Sequence, residues 1–96
     1  MVDKIEIKLI DYELIIESNI CYINNKTIPL KEEDIDNIIR IIRNWNNNYT
    51  NKKVIGENND YIYIYKNNKK YSYTFKNEYP KDIDNLTSYI GDMYAR

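Results

Sequence analysis

The sequence contains no histidine, and this absence removes several kinds of chemistry at once. Imidazole is the usual proton shuttle near neutral pH, the base of most nucleophile–base pairs and a common metal ligand. Zinc would need cysteine or histidine ligands, and the chain has one cysteine, Cys21. We therefore expect no metal site, no cofactor and no enzymatic activity.

Cysteine and glycine are both scarce. One cysteine permits no internal disulfide, which is typical of a protein in a reducing compartment. Cys21 lies in the apolar stretch 20–23, so we interpret it as a buried strand residue without reactivity. The two glycines, Gly56 and Gly91, are too few and too far apart for a phosphate-binding loop.

Long apolar runs are missing as well. No stretch approaches the ~20 residues of a membrane-spanning helix. The first residues, Met1 to Lys4, lack the basic start and continuous apolar run of a signal peptide. We expect a cytoplasmic protein that does not bind a membrane.

No charge of either sign predominates. The formal net charge is −1, whereas a domain that grips duplex nucleic acid usually carries a clear basic excess. A charged partner would therefore have to be recognised by a local patch. The length of 96 residues and the hydrophobic content of 43% predict one globular domain over residues 1–96.

Four residue types dominate what is present. Asn, Ile, Lys and Tyr make up 55 of the 96 residues. All four have A/T-rich codons, so a very A/T-rich genome is the simplest explanation of the bias. Abundant tyrosine and asparagine are then partly background.

The first half of the chain predicts strands followed by a helix. Alternating or β-branched apolar residues at 4–10 and 12–17, a turn at Ser18-Asn19 and a hairpin around Asn24-Asn25 predict a meander of two or three antiparallel strands. A helix follows the lysine at position 31 and continues to about position 45. Its apolar face has helical spacing and comprises Ile35, Ile38, Ile39, Ile42 and Trp45.

The second half predicts a loop, a hairpin and a second helix. The Asn-rich segment 46–60 predicts a long loop, in which Val54-Ile55 forms a short strand or fills the core. Two alternating aromatic runs flank Asn67-Asn68, and Tyr79-Pro80 opens a helix with apolar residues at positions 83, 86, 90 and 93. The predicted fold is α+β, an antiparallel sheet in ββ(β)-α-ββ-α order with two helices packed on one face.

The register of the second hairpin determines which tyrosines are exposed. A two-residue turn at Asn67-Asn68 places Tyr61, Tyr63 and Tyr65 on the open face, opposite Thr74, Ser72 and Lys70. A three-residue loop would instead put Tyr71 and Tyr73 on the same face as these three tyrosines, because a one-residue slip reverses every side chain. We favour the two-residue turn because it sends more apolar bulk to the core.

An exposed tyrosine row has three interpretations. Tyrosine is favoured at protein interfaces, and we predict a partner-binding surface at Tyr61, Tyr63 and Tyr65 with Lys66 and Lys70 beside them. Aromatic rings among lysines could instead stack single-stranded bases. Alternatively, the tyrosines only stabilise the sheet by cross-strand pairing.

Acidic residues cluster at the predicted start of the first helix. Carboxylates there complement the helix dipole, which we favour over catalytic or metal-binding roles. The same acids could also meet a basic surface on a protein partner. This predicted acidic docking surface, an alternative to the tyrosine face, consists of Glu32, Glu33, Asp34 and Asp36.

Residues 57–93 resemble a family of small uncharacterised domains from low-GC Gram-positive bacteria and their mobile elements. The resemblance lies in an alternating strand, an Asn-rich turn, a second strand and then Tyr79-Pro80 before an apolar helix with Leu86 and Ile90. This chain has tyrosines where the family usually has a tryptophan, and Lys81 where it has asparagine. The shared motif is a strand-to-helix junction and implies no activity.

These observations predict a non-enzymatic protein-binding module of bacterial or phage origin. We expect it to be an inhibitory or accessory protein of the immunity or anti-defence type. A single-stranded nucleic-acid binder that uses the tyrosines and lysines is the alternative function, and a homodimer formed through an exposed sheet edge is an alternative assembly.

Overall fold

The computed structural model describes residues 2–54, 56 and 58–96. We number the strands and helices in chain order. They are β1 (Val2–Leu9), β2 (Tyr12–Glu17), β3 (Ile20–Ile23), β4 (Lys26–Pro29), α1 (Glu32–Ile42), β5 (Asn48–Thr50), β6 (Asn59–Lys66), β7 (Lys69–Lys76) and α2 (Ile83–Tyr94).

The strands form one mixed sheet in the order β4-β3-β2-β1-β6-β7-β5. Every pairing is antiparallel except that of β5 with β7, so the predicted purely antiparallel sheet is wrong at this edge. The predicted element order also differs, because four strands precede α1 and β5 lies between α1 and the second hairpin. The chain leaves β4 at one edge, and β5 joins the opposite edge.

Strand β5 lies inside the segment that the sequence predicts to be a loop. Its three residues are too few and too polar to show strand periodicity, and its backbone joins the sheet through hydrogen bonds between Thr74 and Asn47 and between Asn51 and Lys76, both 2.9 Å. Val54, by contrast, is exposed in a bend, and Ile55 lies outside the described residues.

The turns confirm the predicted hairpins. Ser18, Asn19, Asn67 and Asn68 have φ between 53° and 65°, the left-handed conformation that two-residue hairpin turns require at both central positions. Across the second turn, Tyr65 pairs with Lys70 and Tyr63 with Ser72. The favoured two-residue register is therefore the one that the structure adopts.

The core lies between one face of the sheet and both helices. Alternate residues of the strands, such as Ile5, Ile7 and Ile62, are less than 2% exposed and pack with the apolar stripes of the helices in one cluster. The predicted helix faces are confirmed at Ile35, Ile38 and Ile42 in α1 and at Leu86, Ile90 and Met93 in α2. The other face of the sheet is covered by neither α1 nor α2.

Trp45 is buried although α1 ends three residues before it, at Ile42. Its ring meets the edge of Phe75 at a centroid distance of 6.0 Å, and its indole Nε1 donates a hydrogen bond of 2.8 Å to Asp82. Trp45 thus links the end of α1 to the residue before α2. The sequence correctly places Trp45 in the core, but it does so with a helix that is too long.

The turn conformation at Asn68 can be tested by substitution. We expect Asn68→Val to lower the free energy of unfolding by about 1–2 kcal/mol, because a β-branched residue is disfavoured at positive φ. Asn68→Gly should leave stability unchanged or slightly higher, since glycine adopts this conformation without strain. Urea unfolding measures both, and equal stability of the two variants would contradict the assigned turn.

Candidate functional site

The open face of the sheet is defined by the residues that alternate with the core positions. Strands β1, β2 and β3 contribute the side chains of Lys4, Glu6, Lys8, Glu13, Ile15, Glu17, Ile20 and Tyr22, and strands β6 and β7 contribute those of Tyr61, Tyr63, Tyr65, Lys70, Ser72, Thr74 and Lys76. The central strands β1 and β6 bring the two halves of the chain together on this face. The open face is therefore formed by strands from both halves of the chain and not by one hairpin alone.

Three half-buried tyrosines form a row along β6, which we call the tyrosine row: Tyr61, Tyr63 and Tyr65. The rings of Tyr61 and Tyr63 stack, with centroids 4.3 Å apart and planes at 16°. The Lys70 ammonium lies 3.8 Å from the ring centroid of Tyr63, and that of Lys4 lies 5.7 Å from that of Tyr65. Because the rings contact one another and the lysines, the row is ordered in the unbound protein.

Ile15 and Tyr22 extend the apolar area beyond the tyrosine row. The two residues are 40% and 46% exposed, and they face each other across β2 and β3. Ile15 also pairs with Glu6, which pairs in turn with Tyr63, so the row and these two side chains occupy one band across the sheet. Residue-by-residue prediction missed both, although the alternation of Leu14 and Ile16 already assigns Ile15 to the open face.

A shallow depression lies between the two halves of this band. Its volume is about 140 Å³, and its lining includes Ile15, Tyr22 and Tyr61 together with Glu6 and Glu13. This is several times the ~30 Å³ that a water molecule occupies in the liquid. The depression can therefore admit a side chain of a partner that packs on the open face.

Charges of both signs share the open face. The lysines are Lys4, Lys8, Lys70 and Lys76, and the glutamates are Glu6, Glu13 and Glu17. Lys4 forms an ion pair of 3.3 Å with Glu6, and the Lys8 ammonium lies 3.5 Å from the buried carboxylate of Asp60. Two of the four lysines are thus compensated locally by carboxylates, and the three glutamates lie among the lysines on the same face.

Lys66 does not belong to the surface that the sequence assigns to it. It follows Tyr65 in β6 and pairs with Lys69 across the turn, so both lysines point to the side of the sheet that carries the helices. The prediction that Lys66 flanks the tyrosine row is therefore wrong. Lys70 is the lysine that contacts the row.

The four acids at the start of α1 have different environments. Glu32, Glu33 and Asp36 are exposed, as a partner-binding role requires, but Asp34 is 4% exposed. Its carboxylate accepts two hydrogen bonds from the Arg96 guanidinium, at 2.7 and 2.8 Å, and one of 2.7 Å from the Tyr89 hydroxyl. The prediction that Asp34 contacts a partner is therefore corrected: its carboxylate joins α1 to the end of α2.

Electrostatics reinforce this arrangement. Hydrogen bonding from Arg96, together with the Lys31 backbone N–H at 3.0 Å, holds the pKa of Asp34 well below its usual value despite burial. Burial raises the pKa of Tyr89, and its hydrogen bond to Asp34 adds to the effect. Asp34 also occupies the third position of α1, where its bond to the Lys31 backbone caps the helix.

The Cys21 thiol and the Tyr79 hydroxyl, two groups able to take part in catalysis, are buried in structural roles. Burial raises the pKa of the Cys21 thiol to about 11, which keeps it protonated and unreactive near neutral pH. The ring of Tyr79 stacks on that of Phe75 with centroids 5.6 Å apart, and its hydroxyl donates a hydrogen bond to the carboxylate of Asp60. Burial, and then this carboxylate, raise the pKa of Tyr79 above its usual value. The Tyr79-Pro80 motif therefore anchors the strand-to-helix junction.

A larger cleft lies on the helix side, between the first two turns of α1 and one end of the sheet. Its volume is about 770 Å³, and both Glu32 and Asp36 line it. Lys66 lines it as well, so a lysine that the sequence assigns to the tyrosine row lies here beside two acids of the predicted acidic surface. Glu33 is not among the lining residues.

In the described part of the chain, no group of three or more Cys, Asp or Glu side chains could hold a metal ion. Across the same residues, neither helix combines the length and apolar character needed to cross a bilayer. Comparison with family models, curated proteins and solved structures found no match to this chain.

The Asp34–Arg96 pair should govern stability in acid. The native pKa of Asp34 lies below its unfolded value of about 3.9, so this stabilisation is complete above that pH and is lost as the pH falls through the native pKa. We expect Asp34→Asn to cost about 2 kcal/mol of unfolding free energy near neutral pH, where a charged hydrogen-bond acceptor is lost. Urea unfolding between about pH 7 and about pH 2 measures both effects.

The matched control is Glu33→Gln, an exposed acid in the same helical turn. It should change stability by no more than about 0.5 kcal/mol. The gap in stability between wild type and Asp34→Asn should narrow in acid. A constant gap down to about pH 2 would contradict the assigned role of Asp34.

Proposed function

We propose that this chain is a non-enzymatic binding module that docks a protein partner on the open face of its sheet. The observation that carries the proposal is the apolar band formed by the tyrosine row, Ile15 and Tyr22. Aromatic and aliphatic side chains clustered on one face among polar residues, here with Glu6 between Ile15 and Tyr63, are typical of interaction sites. A small module of this kind suits an inhibitory or accessory protein of bacterial or phage origin, of the immunity or anti-defence type, acting in the cytoplasm.

The order of the tyrosine row favours binding. Tyrosine has few rotatable bonds, and the contacts with Lys70 and between Tyr61 and Tyr63 restrict those bonds before any partner arrives. Less side-chain entropy is then lost on association than with mobile residues. The depression beside Tyr61 adds a place where a partner side chain can be buried, which is typical of the strongest interface contacts.

Single-stranded nucleic acid remains the alternative occupant, but two features favour protein. Bases stack on accessible ring faces, and the ring of Tyr63 is already occupied by the stacked ring of Tyr61 and by the Lys70 ammonium. Phosphates need uncompensated cations, whereas two of the four lysines on this face, Lys4 and Lys8, are paired with carboxylates. Both features support a neutral, aromatic interface with a protein surface.

The edge strands offer less to a partner than the open face does. Strand β4 has four residues and ends at Pro29, and strand β5 has three residues. Short edges and proline are the usual means of preventing edge-to-edge pairing. A homodimer formed through a sheet edge is therefore a weaker proposal than docking on the open face.

Replacement of the tyrosine row should weaken partner binding. We expect Tyr61→Thr/Tyr63→Thr/Tyr65→Thr to weaken the affinity at least about tenfold, since interface tyrosines commonly contribute more than 1 kcal/mol each. Threonine retains strand propensity, and circular dichroism confirms that the variant is folded. The measurement is capture from a lysate of an A/T-rich Gram-positive host, followed by titration of the protein that is retained.

The matched control is Tyr71→Thr/Tyr94→Gln, which removes two exposed tyrosines that lie off the open face. It should retain the same protein as wild type. If the triple variant retains that protein equally well, or if wild type retains none, the tyrosines only stabilise the sheet and the proposed function fails.

Salt dependence separates protein from nucleic acid. Raising the salt concentration from about 50 mM to about 200 mM should weaken an aromatic protein interface less than about tenfold. The same change weakens a binder of many phosphates by about a thousandfold or more. A labelled single-stranded oligonucleotide titrated under both conditions provides the direct comparison, and tight, salt-sensitive binding that is lost in the triple tyrosine variant would favour the alternative function.

A further inference from the structure

The helix-side cleft has chemistry that differs from that of the open face. One wall is a stripe of α1 in which Glu32, Ile35, Asp36 and Ile39 follow the i, i+3, i+4, i+7 spacing of one helix face. Val2 and Ile16 line it from the sheet. The cleft therefore pairs apolar surface with two carboxylates one helical turn apart.

These carboxylates are not neutralised within the fold. Neither Glu32 nor Asp36 forms an ion pair with another described residue. Asp3 and Glu17 also line the cleft, against two lysines, of which Lys4 is already paired with Glu6 at 3.3 Å. Lys66 is thus the one lining cation without a carboxylate partner among the described residues, and the cleft has an excess of negative charge.

We propose that this cleft binds an arginine- or lysine-bearing segment of a protein partner. Such side chains combine an apolar stem with a cationic head, and the stem can pack on Ile35 and Ile39 while the head reaches Glu32 or Asp36. The volume of about 770 Å³ lies within the range of ~300–1,000 Å³ that is typical of ligand sites. The proposal concerns a second surface and does not depend on docking at the tyrosine row.

Arginine suits the site better than lysine does. Its guanidinium is more weakly hydrated than an ammonium and can donate paired hydrogen bonds to one carboxylate. The positive end of the α1 dipole opposes a bound cation, but the carboxylate of Glu32 in the same turn offsets it. The balance still favours a cation at Asp36, which lies one turn further along α1.

Titration with a defined peptide tests the proposal directly. The probe is a blocked peptide that alternates leucine and arginine, and the control probe carries neutral citrulline in place of each arginine. At low salt we expect the arginine peptide to shift the amide resonances of Glu32, Asp36 and Ile39, and the citrulline peptide to cause no shift. Shifts confined to the open face, no shifts, or equal binding of both peptides would overturn the proposal.

Two double variants test whether the carboxylates of the cleft contribute to the affinity for the arginine peptide. Glu32→Gln/Asp36→Asn should weaken the affinity for the arginine peptide about tenfold, which corresponds to about 1.4 kcal/mol. Glu33→Gln/Asp92→Asn removes the same charge from exposed helix positions outside the cleft, and it should leave the affinity within about twofold. An equal loss in both variants would show that net charge alone attracts the peptide.

Replacement of Lys66 should strengthen peptide binding, a result that a misfolded variant would not give. Because its ammonium repels a bound cation, Lys66→Gln should raise the affinity for the arginine peptide severalfold. Lys69→Gln is the matched control, since Lys69 pairs with Lys66 across the turn but does not line the cleft. An unchanged or weaker affinity in Lys66→Gln would contradict the proposal, and neither result bears on the tyrosine row.

Discussion

Burial of one sheet face by both helices is the constraint on which the rest of this structure depends. Strand periodicity sends alternate side chains to opposite faces, and the core occupies the side where α1 and α2 pack. The remaining side chains of β1, β2, β3, β6 and β7 then meet solvent. Core packing does not determine the composition of that second face, and the proposed docking surface rests on its tyrosines together with Ile15 and Tyr22.

Polar contacts between residues distant in sequence hold the two helices together on the covered face of the sheet. Arg96 closes on Asp34 at the start of α1, and Trp45 beyond the end of α1 donates to Asp82 just before α2. The two contacts join the helices to each other at both ends. The carboxylates of Asp34 and Asp82 therefore stabilise the fold. Glu32 and Asp36, by contrast, line the cleft.

Much of the fold was predictable because local signals agree with the final packing. The two asparagines at positions 67 and 68 adopt positive φ, so the tight turn and the placement of Tyr63 on the open face follow from local sequence. The apolar stripes of both helices are equally local. Strand β5 was not predictable, because three residues are too few to show periodicity and the strand pairs in parallel with β7, which is distant in sequence.

The candidate site was predicted in part for the same reason. The tyrosine row follows from hairpin register, but alternation continues through the end of β6 and turns Lys66 away from it. Asp34 has the sequence context of a surface acid, and only the guanidinium of Arg96, 62 residues away, shows that it is buried and paired. Contacts at this separation leave no pattern in the sequence. The cleft, likewise, exists only once α1 lies across the end of the sheet.

Site-specific photocrosslinking is the most direct test of docking on the open face. A benzophenone amino acid would replace Ile15 in one variant and Tyr71, exposed on the opposite face, in another. Both variants would be irradiated in the same host lysate. The account predicts a discrete crosslinked species from position 15 that is lacking from position 71. Crosslinks from position 71 alone, or equal crosslinking from both positions, would contradict it.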